Sequence, residues 1–369
     1  MVLLRMKQLV LALLLAACGS RELTGKPVAR DARPDAPTVA DTRQWFAGDV
    51  HMHVAPPDDP HDVVMNVQQI AEAAVTAGLD FVVLTPHLWD TRWGEAFRTE
   101  WRTLAEDAAA IAKPTMIPGV EWGDRDGHFT VTGVDIAKLT GSSFLEAAHA
   151  AGAFISANHP FAVPTKIPGV RASHFDLSYR PWSERRPGFT AIAGAEVWNV
   201  PLSLANILSR PGGRSGEARA WTELDRVVHA EQRRVTAVGG TDNHKTNVMA
   251  TTWVLAIDAT ASAVLDALAR GATCVGGIEG GSFRARGEDG GDDRWVRIGE
   301  SVAARTIKLA WDGVARLYID DVDRGEIADG FVHETGGTLH TYRIVVGSSR
   351  CGFIYGNLPA RPGDRRSSS

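Results

Sequence analysis

The chain has 369 residues, 44% of them hydrophobic and 22% charged, with a net charge of -5. Such a composition is that of a globular protein with enough apolar material for one large α/β domain and a smaller one. It excludes the basic footprint of a nucleic-acid binder, and the sequence shows no heptad and no repeat of fixed period.

Residues 1–18 read as a lipoprotein signal peptide. Arg5 and Lys7 form a positive start, and Leu9 to Leu15 is an apolar run too short to span a bilayer. Leu15-Ala16-Ala17-Cys18 resembles the lipobox of bacterial lipoproteins, which implies lipid on Cys18 and a membrane anchor. An ordinary secretory signal is the alternative. Gly19 and Ser20 follow with no Asp, which by the same resemblance implies the periplasmic face of the outer membrane in a diderm bacterium, and so a cell-envelope location. Residues 19–43 lack apolar periodicity and read as a flexible linker. The other two cysteines, Cys274 and Cys351, are free to oxidise in an exported protein, but spacing does not decide whether they pair.

Strand and helix signals then alternate through residues 44–275. Trp45–His53 is the first expected strand and Val63–Ala77 a helix closed by Gly78. Asp80–Thr85 is a second strand, Thr99–Lys113 a helix, Thr115–Trp122 a third strand and Phe129–Val134 a fourth. Ser143–Ala151 is helical, and Ala153–Ala157 and Thr190–Trp198 are the fifth and sixth strands. Glu217–Gln232 is a helix and Arg234–Gly240 the seventh strand. Apolar strands alternating with helices predict a parallel sheet covered on both faces, closed into a β/α barrel, with an open doubly wound sheet as the alternative. No GxGxxG follows any strand, so a dinucleotide fold has no support. Short strand signals between turn residues from 276 to 358 predict a small β-sandwich, and 359–369 a frayed tail.

The chemistry gathers at the expected strand ends. His51 and His53 alternate on one strand and so face one side. His61 and His87 follow, then Glu121 and His128, then His159, then Asp242 and His244. Seven of the 12 histidines and two carboxylates thus fall where a barrel opens its active-site rim, which predicts a multinuclear metal site. Imidazole and carboxylate ligands suit zinc, manganese or iron.

His51-Met52-His53, Leu84-Thr85-Pro86-His87, Gly119-Val120-Glu121 with His128, Asn158-His159-Pro160 and Asp242-Asn243-His244 resemble the motifs of the PHP (polymerase and histidinol phosphatase) superfamily of metal-dependent hydrolases, over about residues 45 to 250. The segment Leu265–Thr273 and the C-terminal β region are similar, more loosely, to its carbaryl-hydrolase-like branch. The resemblance implies a distorted seven-stranded β/α barrel with two to three divalent metal ions. His51, His53, Glu121 and Asp242 would hold the first; Glu121 would bridge to a second, completed by His128 and His159. His61, His87 and His244 would hold the third. Two departures touch that third position: Pro86 stands where the family commonly has Asp, and His61 lies in a Pro- and Asp-rich loop where Asp58, Asp59 or Asp62 are alternatives.

Asp49 is a candidate acceptor for a ligand imidazole, or else a strand-edge carboxylate. Glu196 is a candidate partner of a ligand or proton carrier, or else a salt-bridged rim residue. Trp89, Trp93, Trp122, Trp182 and Trp198 either wall a pocket or pack. Lys166 and Arg171 are candidate phosphate contacts, with solvated loop charges as the alternative. Metal-activated water attacking phosphorus or carbonyl carbon needs no serine nucleophile, in keeping with the absence of a Gly-x-Ser-x-Gly elbow. The leading expectation is a phosphoesterase acting on a small molecule. The rivals are a carbamate, ester or amide hydrolase and a non-catalytic, metal-containing binding lipoprotein, which Pro86 favours.

Overall fold

The computed structural model describes residues 41–89, 92–124, 127–140, 143–160, 192–199, 216–289 and 294–359. The signal peptide with Cys18, most of the linker, Lys166, Arg171, Trp182 and nearly all of the expected tail lie outside the described residues.

Strand β1 (Gln44–Met52) begins at the surface and ends fully buried. Helix α1 (Val67–Thr76) starts four residues later than its apolar spacing suggests, because Asn66 caps it. The Asn66 side chain accepts from the Gln69 amide, and the Gln69 side chain accepts from the Asn66 amide, both at 3.0 Å. Strand β2 (Phe81–Leu84) is buried throughout, as a strand covered on both faces should be. Val82 and Leu84 enter one apolar cluster, Phe81 and Val83 another.

A short β3 (His87–Trp89) and helix α2 (Glu95–Ala110) lead to β4 (Thr115–Asp124) and β5 (Gly127–Thr132). The connection between β4 and β5 is too short for a crossover, so β5 runs antiparallel to β4 and to β6, and the expected run of parallel strands is interrupted. Helix α3 (Phe144–Ala150), β6 (Phe154–Ala157), β7 (Gly194–Asn199), α4 (Gly216–Glu231) and β8 (Thr236–Gly240) complete this part. The strand order β1-β2-β4-β5-β6-β7-β8 follows the chain, and Met52 bridges to Asn243 just beyond β8, so the sheet curls until its first and last strands meet. Helices α1 to α4 share the first apolar cluster; α5 (Ala261–Arg270) lies against β4, β6 and β8 and belongs to the second.

Beyond β8 come β9 (Thr252–Ala256) and β10 (Thr273–Val275), both antiparallel neighbours in the same sheet. That sheet continues across residue 275. It takes in β13 (Ser301–Val302), β15 (Val314–Ile319), β16 (Val322–Ala328), β18 (His340–Val346), β19 (Ser349–Cys351) and β20 (Ile354–Gly356), 16 strands in all. Four further strands, β11 (Arg284–Gly287), β12 (Val296–Arg297), β14 (Thr306–Ala310) and β17 (Val332–Glu334), form a separate sheet. Phe283, Ile307, Leu309 and Trp311 from its side meet Leu317, Tyr342, Ile344 and Ile354 in a third apolar cluster. Cys274 and Cys351 face each other across β10 and β19 and form a disulfide. The fold is α/β, with the curled sheet carrying the site at its buried strand ends.

Candidate metal centre

His51 and His53 sit at the end of β1, fully buried, on the face given by strand alternation. Around them converge His87 from β3, Glu121 from β4, His128 from β5, His159 after β6, and Asp242 and His244 after β8. Three donor groups have the spacing to hold a metal ion: His53, His87 and His244; His51, His53 and Asp242; and Glu121, His128 and His159.

Glu121 stands at the centre. Its Oε1 lies 3.1 Å from His128 Nδ1 and 3.3 Å from both His51 Nε2 and His159 Nε2. Its Oε2 lies 3.4 Å from both His53 Nε2 and His87 Nε2. Burial would raise this carboxyl, but His128 and His51 hold it well below the usual range. Asp242 is likewise held far down despite its burial, by His51, His53 and His159, and its Oδ1 lies 3.2 Å from His53 Nε2. The imidazoles respond in the opposite sense. Burial alone pushes His53 down, yet Asp242, Asp58 and Glu121 outweigh it and bring the group up to about 9. His51 is raised above its ordinary value against burial by Glu196, Glu121 and Asp242. His244, buried beside the charge of His53, is lowered.

The outward nitrogens are also fixed. His51 Nδ1 donates to Glu196 Oε1 at 2.7 Å, and His53 Nδ1 and His87 Nδ1 donate to the two oxygens of Asp58 at 3.1 Å each. His244 Nδ1 donates to the Asp242 carbonyl at 3.1 Å. A carboxylate on Nδ1 fixes the ring orientation and turns Nε2 inward, the arrangement that metal-ligating histidines require. His53 Nε2 makes no hydrogen bond although it is buried. An inward ring nitrogen without a hydrogen bond, among carboxylates, fits a divalent cation that would take the place of its proton.

The backbone at the rim is strained. His159 and Asp242 have φ of 31° and 49°, in the left-handed region. Each is pinned: the His159 amide donates to Glu196 Oε2 at 2.6 Å, and the Asp242 amide donates to the His51 carbonyl at 2.9 Å. Gly240 makes the Glu196 contact possible, since a Cβ there would collide with Glu196 Oε1 and the His51 Cβ.

Two candidates occupy other positions than expected. His61 is exposed on a turn, its amide bonded to Asp59 Oδ1 at 2.9 Å, and it belongs to none of the three donor groups. The turn after β1 directs the buried Asp58 inward instead, where it also accepts the His87 amide at 2.9 Å. Asp49 touches no imidazole nitrogen. It accepts the amides of His51 at 3.0 Å and Thr241 at 3.1 Å and the Thr241 hydroxyl, so it ties β1 to the segment after β8, and burial pushes it up to about 6. Glu196 is the carboxylate that meets a candidate ligand ring.

Two further residues, Asn158 of the Asn158-His159-Pro160 motif and Asn199, support the candidates. Asn158 donates to Glu121 Oε1 at 2.9 Å and accepts the Thr130 amide at 3.0 Å, fixing the central carboxylate. Asn199 donates to Glu196 Oε2 at 3.1 Å. Its place three residues after Glu196 on β7 was the available signal. Trp89 lies at the rim, with its ring over Gly123 and 5.8 Å from the His87 ring, and is 38% exposed; Trp93 and Trp122 pack with Phe144.

No protein-family model and no curated protein matches the sequence. Among solved structures, a two-domain protein from Bacteroides vulgatus containing a predicted PHP-like metal-dependent phosphoesterase is similar at 15% identity, over 89% of this chain and 99% of that one, with a TM-score of 0.44. PsfC from Pseudomonas syringae is similar at 16% identity, over 57% of this chain and 82% of that one, with a TM-score of 0.33.

Proposed function

We propose that this chain is a metal-dependent hydrolase of the PHP kind, with two to three divalent ions on the rim of a distorted seven-stranded barrel and phosphoesters as its leading substrates. The observation that carries the reading is the orientation of His51, His53 and His87: each gives Nδ1 to an outer carboxylate and turns Nε2 towards Glu121. His51, His53, Glu121 and Asp242 would hold one ion; Glu121, His128 and His159 a second; His87 and His244, with His53 alongside, a third. When bound, such ions supply Lewis acidity and lower the pKa of water towards about 7. The chain's own residues set the stage for that chemistry. Glu196 and Asp58 fix ring orientations, Asn158 fixes Glu121, and the buried strand ends keep bulk water from all but the rim.

Carboxyl-ester, carbamate or amide hydrolysis on the same centre is the second reading. It is favoured by the way two rim cations are already engaged: Arg92 donates to the carbonyls of Pro57 and His87, and Lys245 to that of Asp62. For location we propose the cell envelope with Cys18 as the lipid anchor, and the Cys274–Cys351 disulfide supports an oxidising compartment.

Elemental analysis of wild type and His87→Ala, with assays on a generic phosphoester and a generic carboxyl or carbamate ester, tests both readings. Two to three metals per chain with phosphoester turnover, and one metal fewer in His87→Ala, are expected. Ester turnover alone would move the protein to the second reading. Fewer than about one metal per chain after reconstitution with zinc and manganese would remove the basis of both.

A further inference from the structure

Strand register puts one tryptophan beside the candidate metal centre. Trp89 stands two residues after His87 on β3, so the two side chains share a face. His87 is level with Glu121 on β4, while Trp89 is level with Gly123 and, through it, with His128 on β5. Trp89 therefore lies one pleat further out than the row of Glu121, and it is 38% exposed.

Gly123 leaves the indole room to lie across β4, since a Cβ there would collide with the ring. The indole thus reaches from the His87 ring, 5.8 Å away and near-parallel at 16°, to the His128 ring, 5.0 Å away and edge-on at 68°. The His53 ring continues the row beyond His87, at 4.1 Å and 28°. His87 and His128 belong to different donor groups, so this one indole borders both. Trp93 and Trp122 differ in packing against Phe144.

We propose that Trp89 is a specificity-determining residue, the platform on which an aromatic ring in the leaving group of the substrate stacks. The preferred class is then esters, phosphoesters first, whose leaving group carries an aromatic ring. The proposal rests on the hydrolase reading above. An exposed indole gains by being covered; a flat aromatic group covers it and matches its quadrupole, whereas an alkyl group only covers it. Charge offers less to select by, because Arg92 and Lys245 are engaged with backbone carbonyls. Hydrolysis of such a phosphoester puts the oxygen of water on phosphorus and breaks the bond from phosphorus to the ester oxygen. The departing alcohol or phenol takes the proton that water loses. The indole has no part in that exchange; it orients the group that leaves.

The test is ligand preference in the full chain, reconstituted with zinc and manganese. Benzylphosphonate and ethylphosphonate, in which a CH2 replaces the ester oxygen, would be titrated by calorimetry into wild type, Trp89→Phe and Trp89→Leu. Wild type should bind the benzyl compound roughly tenfold more tightly. Trp89→Phe should keep most of that preference. Trp89→Leu, which stays apolar but not flat, should lose it, with the metal content by elemental analysis the same in all three. Gly123→Ala, which displaces the indole without removing it, should lose the preference too, and decides the matter if Trp89→Leu does not fold. A wild type that binds both phosphonates alike, or a Trp89→Leu protein that keeps the preference, would overturn the proposal and leave the hydrolase reading standing. If neither phosphonate binds, phosphoesters fall as the leading substrates, and turnover of benzyl acetate against ethyl acetate decides. A benzyl preference that Trp89→Leu abolishes would support the platform on the carboxyl-ester reading; no preference would overturn it.

Discussion

Glu196 shows how much one carboxylate can hold at the scale of a residue. From β7 it takes the His51 ring on one oxygen, and the His159 amide and the Asn199 side chain on the other. Glu196→Gln keeps the shape but offers an N–H where an acceptor is needed. It should lower metal affinity or turnover by about 10- to 100-fold, with the melting temperature of the metal-free protein little changed; competitive chelator titration measures the first and calorimetry the second. The positions of His51, His53, Glu121 and Asp242 were legible in the sequence, because strand alternation and strand ends fix direction without knowledge of the tertiary fold. The choice between Asp58 and His61 was not. Both lie in one short turn, and only the way it folds back over His87 decides which side chain goes in. Strand alternation left Asp49 open between a ring acceptor and a strand-edge carboxylate: it shares the face of His51 and His53 but sits one pleat deeper, where amides rather than rings are in reach.

Elements obey their local signals here more closely at their ends than at their starts. Helix α1 illustrates it. Val63 fits the apolar spacing, but the capping box fixes the first turn at Val67, and Gly78, with φ of 75°, ends the approach to β2. Asn66→Ala removes the side-chain half of that box and should cost about 1 kcal/mol in chemical denaturation, with metal content unchanged. The antiparallel setting of β5 was legible only in the brevity of the link after β4. The strands β9 and β10 escaped notice because their pairing is set by the tertiary fold: β9 pairs with β10 on one side and, on the other, with β1, some 200 residues earlier.

For the molecule as a whole, the continuous sheet matters more than any boundary in the sequence. Six strands beyond residue 275 hydrogen-bond into the sheet that carries the metal-type donors, and Cys274–Cys351 pins that continuation across 77 residues. Replacing both cysteines by serine should cost about 4 kcal/mol from the lost constraint on the unfolded chain, read as a drop in stability that reductant reproduces in the wild type. The same sheet gives the C-terminal strands a protective task. A chain cut after Val275 would keep all eight side chains of the three donor groups and Glu196, Asp58 and Asp49 besides, yet β10 would be left as a raw edge, its row of amides and carbonyls open to any passing strand. What reads in the sequence as an appendage is, physically, the hem that keeps neighbouring copies from stitching themselves together.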